Sequence, residues 1–327
     1  MAFSTYSDCN TDNNPLPLYN SYASYFKEIF GSRAQKLSIR AGFSCPNRDG
    51  SISFGGCTFC NNDAFTPSYC ANYPSISKQI DEGIRFHQWR YRKTSHYLAY
   101  FQSYSNTYAP LDILKQRFEE ALNHPLISGL VIGTRPDCVD DEKLDYIASL
   151  ASQCYVSIEY GIESCYDRTL QAINRGHDFA TTRHAIQATT DRHIHCGAHM
   201  ILGLPGESIN DMIDEVPILN SLQINSVKFH QLQILRGSSL ANQTDTIKTC
   251  HLFSLNEYIS LVCDIVERLR PDIAIERFAG EVPPRFQALP ERSWRRSDGC
   301  LVRNEEIAAL VNKELLRRNS RQGLLFK

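Results

Sequence analysis

Cys45, Cys57 and Cys60 fall within one glycine-rich stretch of this chain. It reads Ala41-Gly42-Phe43-Ser44-Cys45-Pro46-Asn47-Arg48-Asp49-Gly50 and then Ser51-Ile52-Ser53-Phe54-Gly55-Gly56-Cys57-Thr58-Phe59-Cys60-Asn61. Three thiolates hold a 4Fe-4S cube by three of its irons and leave the fourth without a protein ligand, free to chelate an incoming molecule. Glycines at 42, 50, 55 and 56 let the backbone wrap such a group and bring N–H donors to its sulfurs. Two other chemistries use part of the same set. A zinc site would need a fourth ligand such as Cys70 or a nearby His, and structural zinc prefers paired Cys-x-x-Cys knuckles, where this stretch has one. A thioredoxin-like dithiol would use Cys57 and Cys60 and leave Cys45 and the glycines without a part.

The rest of the composition narrows the setting. Twelve cysteines are spread through 327 residues that are 42% hydrophobic, enough for a core that needs no disulfide staples. In a reducing compartment most are free thiols, and Cys154, Cys196 and Cys263, in apolar stretches, read as small buried hydrophobes. With 34 Lys and Arg against 36 Asp and Glu the chain has no global field for nucleic acid or anionic membrane, so a polyanion would have to meet a local patch. The first residues lack a basic start and an apolar core, and no apolar run approaches the roughly 20 residues that span a bilayer. A cytoplasmic protein with no membrane partner is expected.

The elements that must position the cysteines alternate between short β-rich runs and longer helical ones, the pattern of a parallel sheet with crossover helices. Strands are expected at 36–41, 97–102, 129–134, 155–160, 196–202 and 227–234, and helices at about 75–90, 112–123, 140–152, 180–191 and 207–220. Ser254-Leu255-Asn256-Glu257 is a capping box that opens a further helix ending near Pro271. From residue 282 onward the pattern changes: Pro283-Pro284 interrupts it, and ten Lys and Arg face five Asp and Glu. About six strand–helix units fit either a barrel or a doubly wound sheet.

The words Cys-Pro-Asn-Arg-Asp-Gly and Gly-Gly-Cys-Thr-Phe-Cys-Asn, with eleven residues between Cys45 and Cys57, resemble the radical S-adenosylmethionine (SAM) superfamily. Within it the chain is similar to the YhcC-type branch related to the catalytic subunit of Elongator, from Tyr19-Asn20 and Phe30-Gly31 to Gln322-Gly323. The resemblance implies an α/β fold: a partial (β/α)6 TIM-like barrel whose cluster loop follows the first strand. The expected divisions are an N-terminal segment, 1–35, packing on the barrel, a radical SAM partial barrel, 36–281, and a basic helical C-terminal extension, 282–327. It also implies a 4Fe-4S cluster on Cys45, Cys57 and Cys60, with SAM as the second cofactor.

In such barrels the working face lies at the C-terminal ends of the strands. The resemblance places Gln102, Ser105, Asn106 and Thr107 near the methionine end of SAM, where relatives commonly carry a Gly-Gly-Glu-like turn. Glu159 and Glu163, in a segment similar to the family's Glu-x-Gly-x-Gln-Ser, are expected beside the SAM ribose. A carboxylate can accept both ribose hydroxyls, and Glu159 on an apolar strand would be costly to bury without partners. Arg175, in Asn174-Arg175-Gly176-His177, is expected at the SAM carboxylate through a charge-assisted pair. Ile201-Leu202-Gly203-Leu204-Pro205-Gly206-Glu207 resembles the adenine-flanking turn, and His230 reads as a hydrogen-bonded core residue.

The activity implied is reductive cleavage of SAM to a 5'-deoxyadenosyl radical, with an electron donor such as flavodoxin or ferredoxin as partner. The expected substrate is a tRNA wobble uridine, because the relative that resemblance brings forward works there. With the chain ending soon after its radical domain, no acetyltransferase domain is expected alongside. Arg292, Arg295, Arg296, Arg303, Arg317, Arg318 and Arg321, with Trp294 as a stacking surface, would form the local patch for tRNA. A solvated amphipathic helix, with Glu305, Glu306 and Glu314 pairing those arginines, explains the same residues. The alternatives are a radical SAM enzyme acting on a small molecule, as in the oxygen-independent coproporphyrinogen enzymes, and a non-catalytic iron-sulfur or zinc RNA-binding protein.

Overall fold

The computed structural model describes residues 17–71, 75–88 and 94–327. The first sixteen residues of the expected N-terminal segment and the end of the expected 75–90 helix lie outside them. Seven strands form one parallel sheet in chain order: β1 (Ala34–Ile39), β2 (His96–Phe101), β3 (Ile127–Thr134), β4 (Tyr155–Glu163), β5 (His195–Leu202), β6 (Ser226–Gln231) and β7 (Ala274–Arg277). Helix α1 (Tyr22–Phe30) precedes β1, and α2 (Ser68–Ala71) and α3 (Ile76–His87) follow it. The later crossovers carry α4 (Leu111–Leu122), α5 (Asp141–Ala151), α6 (Asp167–Ala172) with α7 (Phe179–Thr190), α8 (Ile209–Ser221), and α9 (Thr244–Lys248) with α10 (Leu255–Arg268). Helix α11 (Asn304–Arg317) comes last.

Parallel neighbours need a crossover between them, and alternation along each strand then sorts side chains to two faces. Leu37, Ile39, Ala99, Phe101, Leu130 and Ile132 face the helices and join the main core. Leu98, Tyr100, Val131, Tyr155 and Ala274 face the other way, into the curl of the sheet, where Tyr22 and Phe26 of α1 cover one end. The sheet does not close: β1 and β7 are its two edges, and the chain ahead of α1 lies along β7, with the Ile275 N–H donating to Asn20 O at 2.8 Å. This is the partial TIM-like barrel expected, with one strand more than the six.

The extra strand had no sequence signature, because β7 is four residues long and its second half, Glu276-Arg277, is charged. β6 stops at Gln231, earlier than expected, because Leu232 and Ile234 leave the sheet to pack with Leu170, Ile173, Leu204 and Leu240. β4 runs three residues further than expected, to Glu163, with a register shift between Gly161 and Glu163. The capping box at Ser254 is present: its Oγ accepts the Glu257 N–H, the Ser254 N–H donates to the Glu257 carboxylate at 2.9 Å, and the helix ends at Arg268.

The segment from 282 onward packs α11 against α10 through Ile307, Val311 and Leu315. The two ends of the described chain meet at Gln322, which is buried. Its Oε1 accepts the Asn20 N–H at 2.8 Å, and its Nε2 donates to Arg270 O and Ile273 O at 2.8 and 2.9 Å. One side chain thus joins the entry to α1 and the entry to β7. Gln322→Ala strands one buried N–H and two carbonyls, at about 1–3 kcal/mol for each group left without a partner. We expect a loss of about 3 kcal/mol, read as a lower urea midpoint at unchanged slope; an unchanged midpoint would contradict the clamp.

Candidate functional site

The loop after β1 has few apolar side chains to hold it, so its shape comes from backbone turns. Arg48 N–H and Asp49 N–H both donate to Cys45 O, at 2.8 and 3.2 Å, and Ile52 N–H donates to Pro46 O at 2.9 Å. Gly56 N–H donates to Asn47 O at 2.7 Å, and Cys60 N–H to Cys57 O at 3.0 Å. Cys57 is buried and Cys45 and Cys60 are partly exposed. The Arg48 guanidinium reaches Cys60 O at 2.9 Å and closes the loop on itself.

A second turn, between α6 and α7, grips this loop from across the barrel mouth. The Asn174 side-chain amide donates to Gly56 O at 3.1 Å and Ser53 Oγ at 3.2 Å, while the Asn47 amide donates back to Asn174 O. Thr58 N–H donates to Ile173 O at 2.9 Å. Two residues of the turn have left-handed backbone, Asn174 at φ 53° and Gly176 at φ 80°. A Cβ on Gly176 would stand 2.9 Å from Ile52 Cγ2 and 3.1 Å from Asn47 Oδ1, so this position is held to glycine by conformation and by space.

Between the cysteine loop and the barrel interior lies a cavity of about 1280 Å³, its open mouth included. Cys45, Cys57 and Cys60 line one side; Tyr100, His199, His230 and Arg277 line the other. Phe59, Ile201 and Leu232 make an apolar part of the wall. Cys70, the candidate fourth zinc ligand, is buried elsewhere, and its thiol donates to Ser38 O at 3.1 Å.

The residues expected around SAM fall into two groups. Gln102, Ser105, Glu159, Glu163 and Arg175 line the cavity. Asn106 and Thr107 do not, and instead bind strand ends together: the Asn106 amide donates to Phe101 O and Gly133 O at 3.0 and 2.7 Å, and the Thr107 and Thr134 hydroxyls are 2.7 Å apart. Arg175, expected at the SAM carboxylate, is buried with Nη1 3.4 Å from Cys57 Sγ and Nη2 3.6 Å from Glu163 Oε1. Gly161 makes room for it, since a Cβ there would stand 2.7 Å from Arg175 Nη2. Burial pushes the Glu163 carboxyl up against the pull of Arg175 and Arg135.

Glu159 has partners other than those expected. Its carboxylate is bound by Lys36, by Lys228 Nζ at 3.1 Å and by His199 Nε2 at 2.9 Å. Both lysines also reach Glu276, Lys228 at 2.9 Å, so two lysines and two glutamates form a closed ring of alternating charge in the barrel interior. Burial alone would raise the Glu159 carboxyl; Lys228, Lys36 and His199 hold it well below the usual range. Burial and Lys228 push His199 down to about 4, so the neutral ring donates from Nε2 to Glu159 and presents Nδ1 as an acceptor. Burial, Arg277 and His199 hold His230 well below its usual value.

Sequence reasoning singled out neither Lys36, Lys228 and Glu276 nor Arg135 and Arg277. Lys36 and Lys228 lie in expected strands, whereas Glu276 lies in β7, which had no sequence signature. Arg135 directly follows β3, at the working face. In the C-terminal extension Trp294, expected as a stacking surface, is anchored instead: Nε1 donates to Phe253 O at 2.9 Å and the ring packs on Tyr258 at 4.8 Å. Arg296 pairs with Asp298 and Glu306, Arg317 with Glu314, and Arg318 with Asp264, Glu267 and Glu314. Arg292, Arg295, Arg303 and Arg321 remain exposed.

The chemistry of the cavity wall fits an iron-sulfur group. Arg175 Nη1 and the Asn47 amide donate to Cys57 Sγ at 3.4 and 3.6 Å, and the Asn62 amide to Cys60 Sγ at 3.5 Å, as donors do around cluster sulfurs. Desolvation and the neighbouring Cys57 push the Cys60 thiol up to about 11 against the pull of Arg48. Ser105 Oγ and Arg135 Nη1, both from residues of the wall, are buried with no partner among the described residues.

Comparison with known proteins gives the same picture. The Radical SAM superfamily profile matches residues 45–216, and the Radical_SAM C-terminal domain matches 224–305. YtqA of Bacillus subtilis is 33% identical over 96% of this chain and 97% of its own length, and YhcC of Escherichia coli K12 is 33% identical over 80% and 83%. A tRNA uridine(34) acetyltransferase of Methanocaldococcus infernus is 27% identical over 38% of this chain and 23% of its own length. Among solved structures, archaeal Elp3 of M. infernus with an N-terminal deletion superposes with a TM-score of 0.65 at 15% identity, over 88% of this chain and 64% of that one.

The grip on the cysteine loop can be tested without touching a cysteine. Gly176→Val forces a branched residue to φ 80° against Ile52, a strain of about 1–3 kcal/mol that falls on loop closure. Iron and sulfide per chain after anaerobic reconstitution should drop well below wild type while the far-ultraviolet dichroism stays native. Full loading of the variant would contradict this account of the grip.

Proposed function

We propose a function from one premise: this chain belongs to the radical SAM superfamily, so its cofactors are a 4Fe-4S cluster and SAM. On that premise it is a radical SAM enzyme that holds the cluster on Cys45, Cys57 and Cys60, with a tRNA base, the wobble uridine, as its substrate. When bound and reduced, the cluster supplies the electron for reductive cleavage of SAM, whose 5'-deoxyadenosyl radical takes hydrogen from a carbon too inert for acid–base chemistry. The observation that carries the reading is the shared cavity: three thiols, each on a loop fixed by hydrogen bonds, face a polar barrel interior.

The chain's own residues then have separable parts. Arg175 and Asn47 donate to Cys57 and orient it, while Arg48 steadies Cys60 from the outside. Gln102, Ser105 and the partnerless Nη1 of Arg135 are the polar groups for the methionine end of SAM. Glu163, with a carboxylate in the cavity and burial favouring its neutral form, is the ribose contact in this reading. Phe59, Ile201 and Leu232 give the adenosine an apolar wall and exclude water. Electrons would come from a donor such as flavodoxin or ferredoxin.

Support for a tRNA substrate is narrower. It comes from the partial likeness to an enzyme named for uridine 34 of tRNA and from the exposed arginines at 292, 295, 303 and 321. Among the described residues no helix is long and apolar enough to cross a membrane, and the reading places the protein in the cytoplasm.

Three measurements decide the parts. Ala at Cys45, Cys57 or Cys60 should each abolish the cluster, Cys70→Ala should keep it, and the reduced wild type should turn SAM into 5'-deoxyadenosine. Formation of S-adenosylhomocysteine alone under every reductant would contradict the chemistry. Bulk tRNA should bind with log affinity falling against log salt, and Arg292→Ala/Arg295→Ala should make that slope shallower by about 1–2. Salt-independent or absent binding would remove tRNA and leave a small-molecule substrate.

A further inference from the structure

The charges facing the barrel interior do not cancel. Lys36 and Lys228 are matched by Glu159 and Glu276, and His199 and His230 are neutral, which leaves Arg277. Among the described residues no carboxylate lies within ion-pair distance of its guanidinium. Its one side-chain partner there is the His230 ring, with Nη2 3.1 and 3.3 Å from the two ring nitrogens, and its Nε is buried with no acceptor.

Its inward aim is built into the sheet. β7 pairs with β6 as Val227 with Ile275 and then Lys228 with Arg277, so Glu276 is an additional residue in the ladder. Strict alternation would send Glu276 and Arg277 to opposite faces; the irregularity turns both inward, as bulges do beside active sites. Space is kept there as well: a Cβ on Gly280 would stand 2.9 Å from His230 Nδ1. Gly280 is fixed by the Gln231 side chain, whose Oε1 accepts its N–H at 2.8 Å.

A guanidinium facing a low-dielectric cavity without a counter-ion is held at a cost, and a bound anion removes that cost. We propose that Arg277, oriented by His230, binds the carboxylate of a small acid, a second substrate beside the RNA base, at the interior end of the cavity. What Arg277 lacks is one counter-charge, which a carboxylate supplies. The planar two-oxygen anion also suits a guanidinium fork. The proposal rests on reading this cavity as the site of SAM chemistry and adds a second substrate to the uridine proposed above: a small acid that reaches the barrel interior with its carboxylate leading.

Acetate is the probe, read by saturation transfer to its methyl protons on the reconstituted holoprotein, with and without SAM and at constant ionic strength. Saturable binding that chloride and inorganic phosphate do not displace is expected, unaffected by SAM and weakened at least about tenfold in Arg277→Gln, the size of one lost charge-assisted contact. Arg277→Lys, which keeps the charge, should retain part of it. Equal binding to Arg277→Gln, or displacement by chloride or phosphate, would overturn the proposal. Displacement by SAM would also overturn it, because the site would then belong to SAM's own carboxylate. Deoxyadenosine formation by the wild type is scored separately, so failure of the general function and failure of this site are told apart.

Discussion

The contact on which the site depends is the reciprocal grip between the cysteine loop and the Asn174–Gly176 turn. A loop that must present three thiols cannot bury them in a core, and it has little apolar surface with which to anchor itself. Its shape is therefore imposed from outside, by amide-to-carbonyl bonds running both ways between Asn47, Gly56 and Asn174. The same turn delivers Arg175 to Cys57, so the backbone that fixes the loop also sets the charge beside one of its sulfurs. Asn174 and Gly176 hold left-handed backbone to make this reach, a conformation open to glycine and tolerated by asparagine.

Below the loop, the half-barrel meets a second constraint. An open sheet must fill its concave face, and here the fill changes character along the strands: aromatic and aliphatic near α1, ionic in the middle, and polar with an apolar margin at the cavity. Four buried charges are not a cheap way to stabilise an interior, since well-packed hydrophobes of the same volume would do as well. What the ring supplies is position. It fixes Glu159 on three donors, two of them cationic, and thereby fixes His199, which lines the cavity. It also absorbs the charges of its own lysines, so that Arg277 beside it stands without an acidic partner among the described residues.

Six of the strands and the cysteine loop were legible in the sequence because both rest on local signals, while the choice of a barrel over a doubly wound sheet came from the family resemblance. Strand–helix alternation marked six strands, and the thiol spacing with its glycines marked the loop. The parts that were not legible are those decided by long-range contact. Asn106 and Thr107 look like ligand-binding polar residues at a strand end, yet their hydrogen bonds go to neighbouring strands. Glu159 was correctly read as needing partners, but those partners sit on β1, β5 and β6, and their pairing follows from the curl of the sheet. Arg277 points inward only because of a register irregularity that no alternation pattern displays. Trp294 looked available beside its arginines, and it is instead spent on Phe253 and Tyr258.

The central claim is that three cysteines, and no fourth protein ligand, hold the cluster and leave one iron open to SAM. Electron–nuclear double resonance on the reduced protein with SAM labelled by 17O in its carboxylate tests this directly. The account predicts a hyperfine coupling between the label and the cluster spin, absent without SAM and absent when the cluster is lost in Cys57→Ala. A fully loaded, reduced cluster with no coupling to labelled SAM at saturating concentration would contradict it.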